Sequence, residues 1–394
     1  MQEALINQMT NKTNNRIVSI DILRGFVILL MLVDHVRERF YLHKQVLDPM
    51  DINTTEPELF FTRLSAHLCA PIFVFLTGMS AWLYANPSSG IKRSAHSFLF
   101  KRGLILILLE ATLINFSWFG AYQTLYLQVI WAIGLSMIAL AVLAYLPRWW
   151  LIAIGGAIVI GHNLLSPIQF MPNEIGYSLW TILHDRGFLI SDSLVNVKIS
   201  YPVLPWIGVI MLGYAAGPLF SSNVSSEKRK SILIKSGFSL LALLLVLRGF
   251  NIYGETLEWA YQTTLLLTVM DFFNYTKYPP SLDFLLFAIS VGALTLAWLE
   301  TSKANWLTKV NTLGSAPMFF YILHLYALLI LYMFAYQIWG PNTFYGNPQQ
   351  GYLAFDHVCQ VWLFAVGLVL LLYWPCKKFG EFKRATNMKW VKYF

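Results

Sequence analysis

Arginine, aspartate and histidine recur at helical spacing inside stretches that are otherwise apolar. In S-I-D-I-L-R-G-F-V-I-L-L-M-L-V-D-H-V-R (19–37), Asp21 and Arg24 stand at i,i+3, and His35 follows Arg24 by eleven residues. Eleven helical residues come within about 20° of three full turns, so Arg24 and His35 share a face, about 16 Å apart along the axis. A long donor threading that face could meet Arg24 first and His35 at its reactive end. The structural alternative is an Asp21–Arg24 pair that locks the helix start, with His35 at an interface. In F-F-T-R-L-S-A-H-L-C-A-P-I-F-V-F-L-T-G (60–78), Arg63 and His67 stand at i,i+4, one turn apart on one face. Histidine suits general-base work because its ordinary pKa of about 6.5 lies near operating pH. His67 falls at the depth of His35, so the two are expected to face one another; a cross-helix hydrogen bond is the plainer role for His67. Asp34, His35 and Arg37 form a compact D-H-x-R group in which Asp34 could orient a histidine and stabilise its charged form.

Other polar residues also interrupt apolar runs. His324 sits in F-F-Y-I-L-H-L-Y, where an interhelical hydrogen bond and a tunnel-lining role are both open. Arg248, Asn251, Tyr253 and Lys277 are flanked by Trp259, Tyr261, Tyr275 and Tyr278, which fit an interfacial aromatic belt or a platform for a sugar ring. Glu110, Asn115, His162 and Asn163 are further buried polar candidates. Lys92, Arg93, Lys101, Arg102 and the run Lys228–Lys230 could hold the phosphates of a nucleotide-like donor, although topology alone accounts for them. The chain has no G-x-S-x-G elbow, no H-E-x-x-H and no paired C-x-x-C, so neither a soluble-type triad nor a metal is expected. It also lacks a P-loop and a G-x-G-x-x-G, which argues against nucleotide hydrolysis.

The elements that must position these residues follow from composition. Of 394 residues, 57% are hydrophobic and only 12% charged, with mean hydropathy +0.56. Disorder, a disulfide scaffold (the cysteines are Cys69, Cys359 and Cys376) and a soluble two-domain enzyme are excluded. What remains is an all-α integral membrane protein, a polytopic bundle forming a single domain over 1–394. Ten stretches approach the roughly 20 apolar residues that a spanning helix needs. They are about 17–37, 64–85, 98–118, 124–146, 149–166, 202–221, 231–250, 281–300, 313–337 and 358–376. The apolar run 261–270 is too short to cross and reads as re-entrant or interfacial. With the N-terminus inside, nineteen Lys and Arg fall on the inner side, Lys12, Arg16, Lys389 and Lys392 among them, against eight outside. That bias places both termini in the cytoplasm and accounts for the net charge of +8 without nucleic acid. The first span lacks a signal-peptide cleavage pattern and is expected to stay in the mature protein. Outer loops 1–2, 5–6 and 7–8 are long and aromatic-rich, which points to acceptor recognition or a lid on that side.

The quoted segments resemble the catalytic domain of heparan-α-glucosaminide N-acetyltransferase and its bacterial relatives. Collinear matches continue through K-R-G-L-I-L-I-L-L-E (101–110), Y-P-V-L-P-W-I-G-V (201–209), L-R-G-F-N-I-Y-G (247–254), N-Y-T-K-Y-P-P-S-L (274–282) and A-P-M-F-F-Y-I-L-H-L-Y (316–326). The Arg24-x10-His35 spacing also resembles the wider superfamily of membrane acyltransferases that O-acetylate bacterial surface sugars. The resemblance implies acetyl-CoA, or another acyl-CoA, entering from the cytoplasm, and a glycan or amino-sugar acceptor on the outer side. It also implies His35 or His67 as base. The lysosomal enzyme has asparagine at the position of Asp34, and its active histidine lies in the first outer loop, where this chain offers His43.

The sequence therefore points to a transmembrane acyltransferase of the bacterial inner membrane, in contact with lipids and a possible homodimer. His35, His67 and Asp34 are its catalytic candidates. Arg24, Asp21, Arg37, Arg63, Arg248, Asn251, Lys277 and His324 are its donor- or acceptor-binding candidates. A transporter or flippase using the same intramembrane residues is the alternative; a receptor binding a partner through its outer loops is a third.

Overall fold

The computed structural model describes residues 17–88, 90–344, 351–386, 388 and 391. Lys12, Arg16, Lys389 and Lys392, which entered the charge balance, lie outside the described residues. Helices dominate: α1 (Val18–Phe40), α2 (Pro57–Ala66), α3 (Cys69–Ala85), α4 (Ala95–Leu109), α5 (Asn115–Phe119), α6 (Val129–Leu143), α7 (Arg148–Gly161) and α8 (Tyr177–Leu183). They continue with α9 (Leu204–Ala216), α10 (Ser226–Gly249), α11 (Leu265–Phe272), α12 (Leu282–Leu299), α13 (Leu307–Gly314), α14 (Pro317–Trp339) and α15 (Val358–Ala385).

Among the described residues, six helical segments are long and apolar enough to cross a membrane: Pro57–Ala85, Arg148–Leu165, Ser226–Gly249, Leu282–Leu299, Pro317–Trp339 and Val358–Ala385. Each corresponds to one of the ten stretches read from sequence. The other four differ for identifiable reasons. Helix α1 has 23 residues but carries Asp21, Arg24, Asp34, Arg37, Glu38 and Arg39. The stretch 98–118 is interrupted by a π-helical turn at Glu110–Ile114. The stretch 124–146 opens as a strand before the 15-residue α6, and 202–221 holds the 13-residue α9 with a 3₁₀ turn at Gly217–Phe220. The run 261–270 contributes to the eight-residue α11.

Helix α1 is the hub. It packs against α2, α3, α12, α13, α14 and α15, and its Ile28, Leu32 and Val36 are fully buried. Its approach to α13 is backbone to backbone. A Cβ on Gly314 would sit 1.8 Å from the Asp21 carbonyl oxygen, so only glycine fits there. Gly78 of α3 meets the Ile210 carbonyl of α9 in the same way, at 2.0 Å. Helices α10 and α15 bury little of themselves and present Leu243, Val246, Leu363, Leu370 and Trp374 outward, as lipid-facing helices do.

The strands are short and confined to loops. β1 (Thr124–Leu127) pairs in parallel with β3 (Asn196–Ile199), and β3 pairs antiparallel with β2 (Gly187–Ile190). β4 (Thr343–Phe344) and β5 (Gly351–Tyr352) form a small hairpin pair. Asn115 fixes the strand entry: its Oδ1 accepts from Tyr126 N at 2.7 Å, and its Nδ2 donates to the Tyr126 carbonyl at 3.0 Å. Glu110, on the π-helical turn, accepts from Ile130 N and Trp131 N at 3.0 Å each and caps the start of α6. The two polar residues singled out in the third apolar stretch thus set where α6 begins.

Candidate active site

A cavity of about 560 Å³ runs beside α1, walled by α3, α4, the start of α6 and α14. It extends from Asp21, Arg24 and Ser80 at one end to His35, Asp34 and Lys277 at the other. The face shared by Arg24 and His35 is therefore the face turned to the cavity.

At the first end, the Arg24 guanidinium is bound to the Asp21 carboxylate at 2.6 Å and to the Ser80 hydroxyl. Arg93, Arg102 and Lys383 line the same end. The Nε of Arg102 is buried without a hydrogen-bond partner, and its guanidinium lies 5.8 Å from the Phe98 ring. Basic groups of this density, backed by one carboxylate, attract a polyanion. Of the inner-face cations read from sequence, Arg93 and Arg102 reach the cavity. Arg229 instead pairs with Glu300 at 2.6 Å, and Lys230 bonds the Thr301 hydroxyl at 3.1 Å.

At the other end, His35 Nδ1 lies 2.7 Å from His324 Nε2, with ring planes 14° apart. His324 Nδ1 lies 2.9 Å from the Phe320 carbonyl oxygen. A carbonyl only accepts, so His324 Nδ1 carries the proton and, with both rings neutral, His324 Nε2 accepts from His35 Nδ1. His35 Nε2 is left with its lone pair. Trp118 and Tyr321 stand edge-on to the His35 ring at 5.0 and 5.8 Å and hold its plane. An imidazole so held and lining a cavity can act as a base, with His324 in the orienting place that a carboxylate occupies in hydrolytic triads.

Asp34 serves a different purpose. On a helix it points about 100° away from its neighbour His35, and its two oxygens accept from Arg37 Nε at 2.9 Å and Arg63 at 3.2 Å. Glu38 completes the group, 3.3 Å from Arg37 and 4.0 Å from Arg63. Two carboxylates and two guanidiniums make a closed, charge-balanced quartet that ties α1 to α2. Lys277 is 5% exposed and lines the cavity, with its ammonium 5.2 Å from the Tyr278 ring.

His67 ends α2, packs against Phe284 at 5.1 Å, and is absent from the cavity lining; the ring paired with His35 is His324. His43 packs against Tyr41 at 4.6 Å, also away from the lining. Arg248 donates to the carbonyls of Phe272, Leu257, Asp271 and Asn274 at 2.5–3.4 Å, and Asn251 Nδ2 donates to the Trp259 carbonyl at 2.9 Å. Both clamp the loop between α10 and α12. Tyr201 went unnoticed in the sequence as a cavity group; its hydroxyl is 3.0 Å from that of Tyr278, which the sequence marked as a belt residue or a sugar platform. Burial, with Tyr278 beside it, pushes the Tyr201 hydroxyl well above its ordinary pKa and keeps it protonated. The signal was there in two Tyr-Pro pairs, 201–202 and 278–279, each at the end of a loop. Among the described residues, no group of three or more His, Cys, Asp or Glu is arranged to hold a metal.

The family model "Heparan-alpha-glucosaminide N-acetyltransferase, catalytic" matches residues 16–253, more than half of the chain. The chain belongs to this family. A search among curated proteins finds no match. Membership supports acyltransferase activity for the protein. The family match contains Arg24, Arg102, Asp34 and His35 and ends before Lys277 and Tyr278, which line the same cavity, and before His324, which bonds His35.

Proposed function

We propose that the protein moves an acetyl or other acyl group from acyl-CoA on the cytoplasmic side to a glycan or amino-sugar acceptor on the opposite side. The observation carrying this function is the continuity of the cavity from the basic Arg24 end to the His35–His324 pair. A CoA thioester has phosphates at one end and its reactive carbon at the end of a long arm, which suits that separation. The acceptor hydroxyl or amine attacks the thioester carbonyl while His35 Nε2 takes its proton. The tetrahedral adduct then expels the CoA sulfur, which receives the proton back from His35. His324 holds the tautomer, and the Asp34–Arg37–Arg63–Glu38 quartet keeps α1 and α2 in register. An acyl-histidine intermediate on His35 Nε2 would use the same geometry. Lys277, His67, Arg248 and Asn251 would support the acceptor side.

The membrane arrangement that goes with this function is a single domain of ten spans in a bacterial inner membrane, both termini cytoplasmic. The six long apolar helices would be joined by α1, by α4 with its π-helical turn and α5, by α6 and by α9. Purified protein in detergent should transfer label from radiolabelled acetyl-CoA to candidate glycans, and His35→Ala should abolish transfer. Transfer by His35→Ala at the wild-type rate would overturn the assignment. Failure to bind acyl-CoA in calorimetry would favour the transporter alternative.

A further inference from the structure

A second cavity, of about 480 Å³, opens beside the His35 end and is built from loops. Asp48 comes from the loop after α1; Phe170, Trp180, Asp185 and Arg186 come from the region between α7 and α9; Tyr278 comes from the segment before α12. These are the three long outer loops that the sequence marked for acceptor recognition.

Its aromatic faces are fixed in place. Trp180 donates its indole N–H to the Ile168 carbonyl at 2.8 Å, and its ring stacks on His184 at 4.9 Å with 17° between planes. His184 is fully buried and bound through its two nitrogens to Asp185 at 2.8 Å and the His162 carbonyl at 3.0 Å. Asp48 accepts from Lys277 N and Tyr278 N at 2.9–3.1 Å and sets the turn that carries Tyr278.

Tyr278 lines both cavities. Its ring has the Arg186 guanidinium at 4.5 Å, from the second cavity's lining, and the Lys277 ammonium at 5.2 Å, from the first. Its hydroxyl meets that of Tyr201, which lines the first cavity only. Tyr278 is thus the partition between a reaction chamber and a loop chamber, and each chamber is large enough for a ring-sized group.

We infer that the loop cavity is a saccharide subsite: the acceptor is a chain of at least two sugar rings, one reaching past Tyr278 to His35 while the next is held at Trp180 and Arg186. Rigid aromatic faces beside guanidinium, carboxylate and hydroxyl groups match the apolar face and hydroxyl rim of a pyranose. The inference rests on the acyl-transfer function and predicts a preference for length that the His35 pair alone does not explain.

The test is equilibrium binding without acyl donor, so that it is read independently of transfer. Cellobiose, chitobiose and the glucosamine dimer would be titrated into the detergent-solubilised protein beside their monosaccharides. At least one disaccharide should bind tenfold or more tightly than its monosaccharide. Trp180→Ala and Arg186→Ala should each remove that difference, and His35→Gln should keep it. Arg186 is exposed, so its variant tests the subsite with the fold intact. Equal affinity for one ring and two, no binding of any of these sugars, or an undiminished preference in Arg186→Ala would overturn the inference. If the preference is found while acetyl-CoA is not consumed, the acyl-transfer function fails and the subsite stands.

Discussion

The two ends of the cavity are built on opposite principles. At the Arg24 end, cations outnumber the anions that line the cavity with them, and a guanidinium nitrogen of Arg102 is left unpartnered. At the His35 end, the carboxylates and guanidiniums of the quartet cancel, Lys277 adds a single cation, and the candidate base is a ring held by hydrogen bonds. An excess of charge suits capture of a polyanion whose position need not be exact. A closed network around a neutral base suits proton transfer, which depends on sub-ångström placement. One end should therefore govern affinity and the other turnover.

The largest effect expected from this contrast is at His35. His35→Gln should lower kcat for acetyl transfer by about 10³-fold, within the span attributed to a positioned base, while acetyl-CoA binding in calorimetry stays within twofold. A comparable loss of binding would show that the ends are not separable. Next comes His324, which touches His35 and acts through it. His324→Ala should lower kcat about 10²-fold with KM unchanged, and His324→Asn should recover part of the loss if its side chain can still accept from His35 Nδ1. An equal defect in the alanine and asparagine variants would reduce His324 to packing.

At the other end, Arg102→Ala should raise KM for acetyl-CoA about tenfold and leave kcat alone. The wild-type KM should rise with salt more steeply than the variant's, because the exposed part of this attraction is screened. A kcat defect there would break the contrast.

The smallest effect lies outside both ends. Glu300, in the turn after α12, is pushed up by burial, but hydrogen bonds from Arg229, Ser226 and Ser19 outweigh this and hold its pKa below the ordinary carboxylate value. A depressed folded-state pKa gives stability that is present above the unfolded value and lost as pH falls through the folded one. Glu300→Gln should therefore cost about 1 kcal/mol at pH 7, the net worth of one hydrogen bond, read as a lower Tm. The gap between variant and wild type should close as pH falls through the acidic range. A gap that persists at low pH would assign the loss to packing.

How much of this was legible depended on how local the signal was. The Arg24–His35 face follows from helical period alone, and the structure turns that face into the cavity. The three long loops were visible as aromatic-rich interruptions, but not that they enclose a chamber. The pairing of His35 with His324 was hidden, because they are 289 residues apart and periodicity carries no information across helices. His67 drew attention at the same depth, yet depth leaves rotation about the helix axis open, and α2 turns it toward Phe284. Four expected spans were blurred for a related reason. Apolar runs tolerate a π-helical turn, a strand or buried charges that composition does not register, as at Glu110, Thr124–Leu127 and Asp34.

The His35–His324 bond also has a meaning in time. Synthesis yields the cavity-lining arginines of α1 and α4 first, and the carbonyl and ring that set the tautomer of His35 arrive only with α14. A nascent chain that stops after residue 316 would hold Arg24, Arg93, Arg102 and His35 beside Trp118, without the ring that accepts from His35 Nδ1. Under the proposed function, competence for chemistry would thus wait for α14, after Arg24, Arg93 and Arg102 are made and before Lys383 joins them.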